Sequence, residues 1–221
     1  MSFPDRQASE ISIQVSLSGF SFNSSPWLGA ERIFTTPEFQ RRYDKVDISL
    51  LTPKCTLIPE SFFSESSARV LLEGVCALRE KDVVSWVKVP QFSSVLVYSN
   101  SMDESLSRAI AGTVLLTSGQ SAPVLPEMFY LLETTEICED YNKIICSYMD
   151  GWLHLVIAQG RSLCLANVYK AQDFTTAEYF IFLALKRLQM NPEVSTICFR
   201  TPLDMEAEMS LYRYFKSVVR L

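Results

Sequence analysis

Apolar and polar residues alternate near the start of the chain. Residues 11–17 (ISIQVSL) keep a period of two, which predicts a β-strand with one buried face. Gly19 interrupts this pattern, and the alternation resumes in residues 20–22. A strand, a glycine turn and a second strand are typical of a β-hairpin.

A second hairpin is predicted beyond the middle of the chain. Residues 142–149 and 152–158 have the composition of strands, and they flank Asp150-Gly151, a dipeptide favoured in tight turns. Residues 162–169 predict a third strand.

A helix, a strand and a last helix are predicted to follow. Residues 175–188 begin with a capping-box pattern at Thr175 and Glu178 and are apolar nearly all round, so we expect a deeply buried helix. Residues 195–200 predict a strand, and the last helix is predicted to end at Val219.

The two hairpins indicate an internal repeat. When Gly19 is aligned with Gly151, each half continues with alternating strands and helices. This pattern favours a duplicated α/β unit, in which each half combines three antiparallel strands and crossovers in a mixed sheet. The alternative is two ordinary hairpins in one α/β protein. The predicted lobes are residues 8–141 and residues 142–221.

Composition and charge narrow the class of protein. The 221 residues are 48% apolar and 20% charged, which is typical of globular domains and excludes disordered, collagen-like and coiled-coil chains. A formal net charge of -5 disfavours nucleic acid and anionic membrane surfaces as partners. No apolar run approaches the ~18 residues of a membrane span, and the first residues lack a signal-peptide pattern. We therefore expect a cytoplasmic protein.

Candidate metal ligands and catalytic residues are sparse. The six cysteines form no C-x-x-C pair, and His154 is the single histidine. We expect reduced thiols that pack as small apolar side chains, and no metal site. His154 could act in Ser/His/Asp catalysis, but a structural histidine is the more common case, so we predict no catalytic residue.

Three stretches carry a resemblance to a known family: Ser12–Phe22, Leu153–Asn167 and Asp173–Leu188. In these stretches the chain resembles the actin-like ATPase superfamily and, more narrowly, domain-of-unknown-function family 3822 of the Bacteroidetes. The resemblance implies a duplicated ribonuclease H-like, actin-like ATPase fold, α/β in class, with two lobes and mixed sheets. It is shared with degenerate relatives in pilus and secretion assemblies, and it implies no established activity.

The nucleotide site of that superfamily supplies the candidate site residues. There, an Asp-x-Gly turn in each hairpin serves the metal and the phosphates of ATP, and a Gly-Gly turn packs on the adenine. The corresponding triplets here are Leu17-Ser18-Gly19 and Met149-Asp150-Gly151, in which both glycines remain but neither first residue is acidic. Asp150 is one residue out of register, and such a shift on a strand reverses the side-chain direction. The third turn corresponds to residues 200–203 (RTPL), which include no glycine.

These substitutions favour a binding or scaffold protein that is not an enzyme and needs no cofactor, with an unknown protein partner and an open oligomeric state. Gly19, Gly151 and Asp150 are then vestigial phosphate-turn positions. The alternative is a nucleotide-binding protein or slow ATPase that uses unconventional residues. A third hypothesis is a small-ligand enzyme whose cleft the sequence does not locate. Carboxylates at positions 17 and 149 would favour the ATPase, whereas the apolar Leu17 and Met149 favour the binding protein.

Overall fold

The structure is a computed structural model that describes residues 10–16, 19–22, 27–32, 35–101, 107, 110, 115–120 and 122–221. The chain divides into two compact units, each formed from two segments. The first unit is Met1–Leu50 with Met102–Leu125, and the second unit is Leu51–Ser101 with Pro126–Leu221.

The strands and helices of the described residues have the following bounds. The strands are β1 (Glu10–Val15), β2 (Gly19–Phe22), β3 (Leu28–Gly29), β4 (Arg42–Tyr43), β5 (Lys45–Leu50), β6 (Cys55–Pro59), β7 (Val84–Val89), β8 (Ser94–Ser99), β9 (Leu115–Leu116), β10 (Val124–Pro126), β11 (Asn142–Met149), β12 (Trp152–Gln159), β13 (Ser162–Lys170), β14 (Thr196–Phe199) and β15 (Ser217–Arg220). The α-helices with described ends are α1 (Ala68–Glu73), α2 (Glu127–Ile137), α3 (Phe174–Arg187) and α4 (Met205–Tyr212). None of the described helices is long and apolar enough to cross a membrane.

The first unit is built on a sheet with the order β10-β5-β1-β2-β3. Strand β1 pairs antiparallel with β2 and parallel with β5, and β2 pairs antiparallel with β3. The alternating pattern places Ile13, Val15 and Phe20 in one buried apolar cluster. The first predicted hairpin is therefore confirmed.

The second unit repeats this arrangement in a sheet with the order β13-β12-β11-β14-β15. Strand β12 pairs antiparallel with β11 and β13, whereas β14 pairs parallel with β11 and β15. The two sheets have the same strand order. If the strands of each sheet are numbered along the chain and the first sheet is read from β3 to β10, both sheets have the order third, second, first, fourth, fifth. This shared order confirms the predicted mixed sheets of a duplicated α/β fold.

Helices cover both faces of the second sheet. On one face, α3 and α4 bury an apolar cluster that includes Ile144, Leu155 and Leu185. On the other face, Leu131 of α2 packs with Ile145 in a cluster that also contains residues of the small sheet β6-β8-β7. Because successive side chains of a strand point to opposite faces, Ile144 and Ile145 belong to different clusters.

The compact units do not coincide with the predicted lobes. Residues 51–101 belong to the second unit because β6, β7 and β8 pack, through their apolar face, with α2 and β11. The sequence gives no sign of this insertion, since β6 follows β5 after only four residues. The lobe boundary between residues 141 and 142 stays a prediction.

Helix α3 differs from its prediction in two respects. Its N-cap is Asp173, whose carboxylate accepts the Thr176 N–H at 2.7 Å, so the predicted capping box at Thr175 and Glu178 is wrong. Its buried residues form one stripe: Ala177, Ile181, Ala184 and Leu185. Tyr179 on the opposite face is 61% exposed, so the prediction of burial nearly all round is also wrong.

The end of the chain is a strand where a helix was predicted. Helix α4 ends at Tyr212, and Ser217–Arg220 pair with β14 as the fifth strand of the second sheet. Val218 is buried in the core cluster of that sheet. β-Branched residues favour a strand that packs on a core, and this preference outweighs the helical pattern up to Val219.

Candidate functional site

The second hairpin closes through a tight turn at Asp150-Gly151. Met149 pairs with Trp152, so only these two residues lie between the strands. Their φ angles are 52° and 73°, which is the left-handed pair that a type I′ turn requires and that Asp-Gly adopts readily. Asp150 is exposed at the tip of the hairpin. The turn itself thus accounts for both residues.

Gly19 has a different structural environment from Gly151. In the first hairpin, Val15 pairs with Phe20, and the Ser16 N–H donates to the Gly19 carbonyl at 2.9 Å. Counted from these pairs, Gly19 matches Trp152 of the second hairpin. The predicted alignment of Gly19 with Gly151 is therefore shifted by one residue in the ladder.

A close backbone approach explains the glycine at position 19. A Cβ atom on Gly19 would lie 2.1 Å from the Leu28 carbonyl oxygen of the neighbouring strand β3, where no side chain fits. The other two residues of the predicted triplet, Leu17 and Ser18, lie outside the described residues.

The segment after β14, which the resemblance predicted to match an adenine-binding turn, is bonded to strand β11. The Arg200 N–H donates to the Cys146 carbonyl at 3.0 Å, and Thr201 Oγ1 accepts the Tyr148 N–H at 2.8 Å. Thr201 is 1% exposed. These bonds extend the contact between β14 and β11 beyond the last residue of β14.

A buried polar cluster lies on the α2 face of the second sheet. Glu127, the first residue of α2, accepts hydrogen bonds at Oε1 from Ser147 Oγ at 2.6 Å and from Arg200 Nε at 3.0 Å. Glu127 and Ser147 are fully buried, and the Arg200 guanidinium lies 5.1 Å from the Tyr130 ring centroid. The buried carboxylate is thus paired with a cation, as burial of a charge requires.

His154 stands opposite Ser147 in the β11–β12 ladder and is fully buried. Its Nε2 lies 3.0 Å from the Thr52 carbonyl oxygen, so we assign the proton to Nε2 as the donor. Burial lowers the pKa of His154, against smaller opposing effects from this hydrogen bond and from the charge of Glu127. The imidazole is therefore neutral at neutral pH.

The bonding in this cluster differs from that of a Ser/His/Asp triad. A triad joins the serine hydroxyl to the histidine within reach of substrate. Here the Ser147 hydroxyl donates to Glu127, and His154 donates to a backbone carbonyl. Both side chains are 0% exposed, and their hydrogen bonds fix α2 and the segment around Thr52 to the sheet.

Sequence reasoning missed Glu127 and Arg200. Each carried a weak signal, because Glu127 opens an apolar helix after Pro126 and Arg200 ends an apolar strand. Their partnership joins residues that are 73 positions apart, and no local pattern reveals such a pair.

The potential metal ligands are dispersed over the described residues, and the thiols are unpaired. Among the described residues, no group of three or more His, Cys, Asp or Glu side chains is placed to hold a metal ion. The six cysteines are free thiols, of which Cys146 and Cys198 are buried. Burial raises the pKa of Cys198 to about 12, so this thiol stays protonated. The absence of a metal cofactor stays a prediction.

Solved structures share this fold. A Bacteroides thetaiotaomicron protein with actin-like ATPase fold and unknown function aligns over 100% of this chain and 93% of its own, at 17% identity and a TM-score of 0.70. A PilM-PilN type IV pilus biogenesis complex aligns over 96% of this chain and 88% of its own, at 12% identity and a TM-score of 0.53. The cytoplasmic domain of EpsL, an inner membrane component of the type II secretion system of Vibrio cholerae, covers 89% and 83% at 13% identity, with a TM-score of 0.48. The first two show that the protein has the actin-like ATPase fold, as the resemblance implied.

The family follows from the sequence itself. No curated protein matches the chain significantly. The family model described as protein of unknown function (DUF3822) matches residues 30–218, which is most of the chain and includes the whole described second sheet apart from the end of β15. The chain therefore belongs to DUF3822, a family of proteins of unknown function.

Proposed function

We propose that this protein is a cytoplasmic binding or scaffold protein that engages another protein and does not turn over nucleotide. The observation that carries the proposal is the segment after β14. Thr201 is bonded to β11 with 1% exposure, and Arg200 reaches the buried Glu127. These contacts support a closed structure at the position where the superfamily has an adenine-binding turn.

The second hairpin supports the same proposal. Position 149 carries the thioether of Met149, whereas a magnesium ion and its waters require oxygen ligands. The neighbouring Asp150 has a positive φ in the turn, which explains its selection without a nucleotide.

A protein partner is supported by a comparison and by one surface. In the pilus structure that shares this fold, PilM is in complex with PilN. In the present chain, Met205 and Met209 of α4 are 79% and 58% exposed, and residues four apart lie on one face of a helix. Exposed methionines are enriched in surfaces that contact other proteins.

Steady-state phosphate release with Mg-ATP distinguishes this proposal from the slow ATPase. The exposed Asp150 is the observation that favours the alternative. We expect the wild type, Asp150→Ala and the matched exposed-carboxylate control Asp140→Ala to give the same background. Turnover that Asp150→Ala abolishes and Asp140→Ala preserves would contradict the proposal. Phosphate release above this background that is equal in all three proteins indicates a contaminating ATPase.

A further inference from the structure

A pocket of about 420 Å³ lies in the second unit, at the opposite end of β12 from the Asp150-Gly151 turn. Four segments line it: the turn after β7, the end of α2, the start of β11 and the connection between β12 and β13. Its volume is within the range of roughly 300–1,000 Å³ that is usual for small-molecule sites. Within the second unit, the pocket is thus separate from the Asp150-Gly151 turn.

Three donor groups line this pocket. Gln91 Nε2 is buried and has no hydrogen-bond partner among the described residues. Lys143 Nζ donates to the Thr135 carbonyl, which leaves the other two N–H groups of its ammonium for a ligand. Arg161 is exposed, and within the described part of the chain its guanidinium forms neither an ion pair nor a hydrogen bond.

The charges of the lining favour an anion. Two cations, Lys143 and Arg161, stand against one carboxylate, that of the exposed Glu136. A buried amide donor is costly to leave unpaired, and guanidinium and ammonium groups form their strongest hydrogen bonds with carboxylate and phosphate oxygens. Phe92 adds an aromatic wall that suits the carbon skeleton of an organic ligand.

We propose that this pocket binds a small organic anion whose carboxylate or phosphate group accepts hydrogen bonds from Gln91, Lys143 and Arg161. Such a site goes beyond the scaffold role and does not depend on it. A ligand here would contact both the end of α2 and the sheet, the two elements that the Glu127 cluster joins at their other ends.

The test uses the full chain, with citrate as the carboxylate probe, glycerol 3-phosphate as the phosphate probe and glycerol as the neutral control, all at constant ionic strength. The readout is the NMR shift of the Gln91 side-chain amide during titration at millimolar concentrations. We expect at least one of the two anions to move this resonance saturably, and glycerol to leave it unmoved. The anion that moves the Gln91 resonance at the lower concentration shows whether the pocket prefers a carboxylate or a phosphate group.

Variants of two exposed arginines complete the test. Arg161→Gln should weaken binding about tenfold or more, since it removes a charge-assisted hydrogen bond. The matched control Arg187→Gln, on α3, should bind as the wild type does, and equal melting temperatures will show that both variants fold. The proposal is overturned if neither anion moves the Gln91 amide, if sodium chloride moves it equally, or if the two variants weaken binding to the same extent.

Discussion

The hairpins β1–β2 and β11–β12 carry a buried polar pair at the same ladder position. Gln14 lies opposite Ser21 in the first hairpin, and Ser147 lies opposite His154 in the second. Each pair is the third from its turn, and none of the four side chains is more than 5% exposed. The repeat therefore includes polar positions inside the fold as well as the apolar pattern.

The two hairpins differ in what lies beside these pairs. On β5, the neighbour of Gln14 is the neutral Ser49, which is 1% exposed. In the second hairpin, Ser147 bonds to Glu127, which also binds Arg200. A buried ion pair makes the loss of one partner far more costly than the loss of a neutral group, so we expect the Glu127 cluster to contribute more to stability than a neutral residue of the first hairpin.

Removal of Glu127 should give the largest effect on this contrast. We expect Glu127→Ala to lower the free energy of unfolding by about 3–5 kcal/mol, because it removes the carboxylate that the largely buried Arg200 binds. Ser21→Ala in the first hairpin should cost about 1 kcal/mol, the centre of the range for single substitutions. Denaturant unfolding measures both, with Glu136→Ala on the exposed face of α2 as the control. Equal losses for Glu127→Ala and Ser21→Ala would remove the contrast.

The second largest loss of stability is expected from a substitution in the apolar core that α3 forms with the second hairpin. Leu185 of α3 is 1% exposed in the cluster that includes Ile144 and Leu155, so Leu185→Ala should cost ~2–5 kcal/mol. Tyr179→Ala, on the exposed face of the same helix, should change stability by less than about 0.5 kcal/mol. A loss for Leu185→Ala as small as that for Tyr179→Ala would show that α3 does not form the core of this sheet.

Substitution of asparagine for Gly19 and for Gly151 should distinguish the structural roles of these two glycines. Gly19→Asn should cost about 1–3 kcal/mol or more, because its Cβ would meet the Leu28 carbonyl oxygen at 2.1 Å. Gly151→Asn should cost only a few tenths of a kcal/mol, because asparagine tolerates the left-handed φ of 73°. Chemical denaturation of both variants provides the values. A more damaging change at position 151 would reverse the assignment.

The pH dependence of stability should show the smallest effect, and only the second hairpin contributes a histidine to it. Burial lowers the pKa of His154 below the ordinary value of 6.5, so the unfolded chain binds the proton more readily. The contribution of neutral His154 to the free energy of unfolding is fully present above pH 6.5. It decreases as the pH falls through that value toward the pKa of the folded state. Melting temperatures at successive pH values test this. His154→Gln should weaken the dependence of the melting temperature on pH below 6.5, and it leaves the charges of Glu127 and Arg200 in place. An unchanged dependence would exclude His154 as its source.

Much of the fold could be predicted because the longer strands have a strand composition over their whole length. Strand β11 extends over eight residues, whereas β3 has two, too few to establish a period. Strand β15 has four residues, and three of them lay within the predicted last helix. The Asp150-Gly151 turn was also visible, because its chemistry is local. The contact of Glu127 with Arg200 was not, since it depends on how distant elements pack.

A melting scan with and without Mg-ATP tests the proposal that the contacts after β14 and the apolar Met149 leave no working nucleotide site. A ligand at 100 times its dissociation constant adds about 2.7 kcal/mol of apparent stability. We expect no shift with Mg-ATP beyond that given by magnesium alone. A saturable rise in the melting temperature with Mg-ATP, lost in Asp150→Ala but kept in Asp140→Ala, would contradict it.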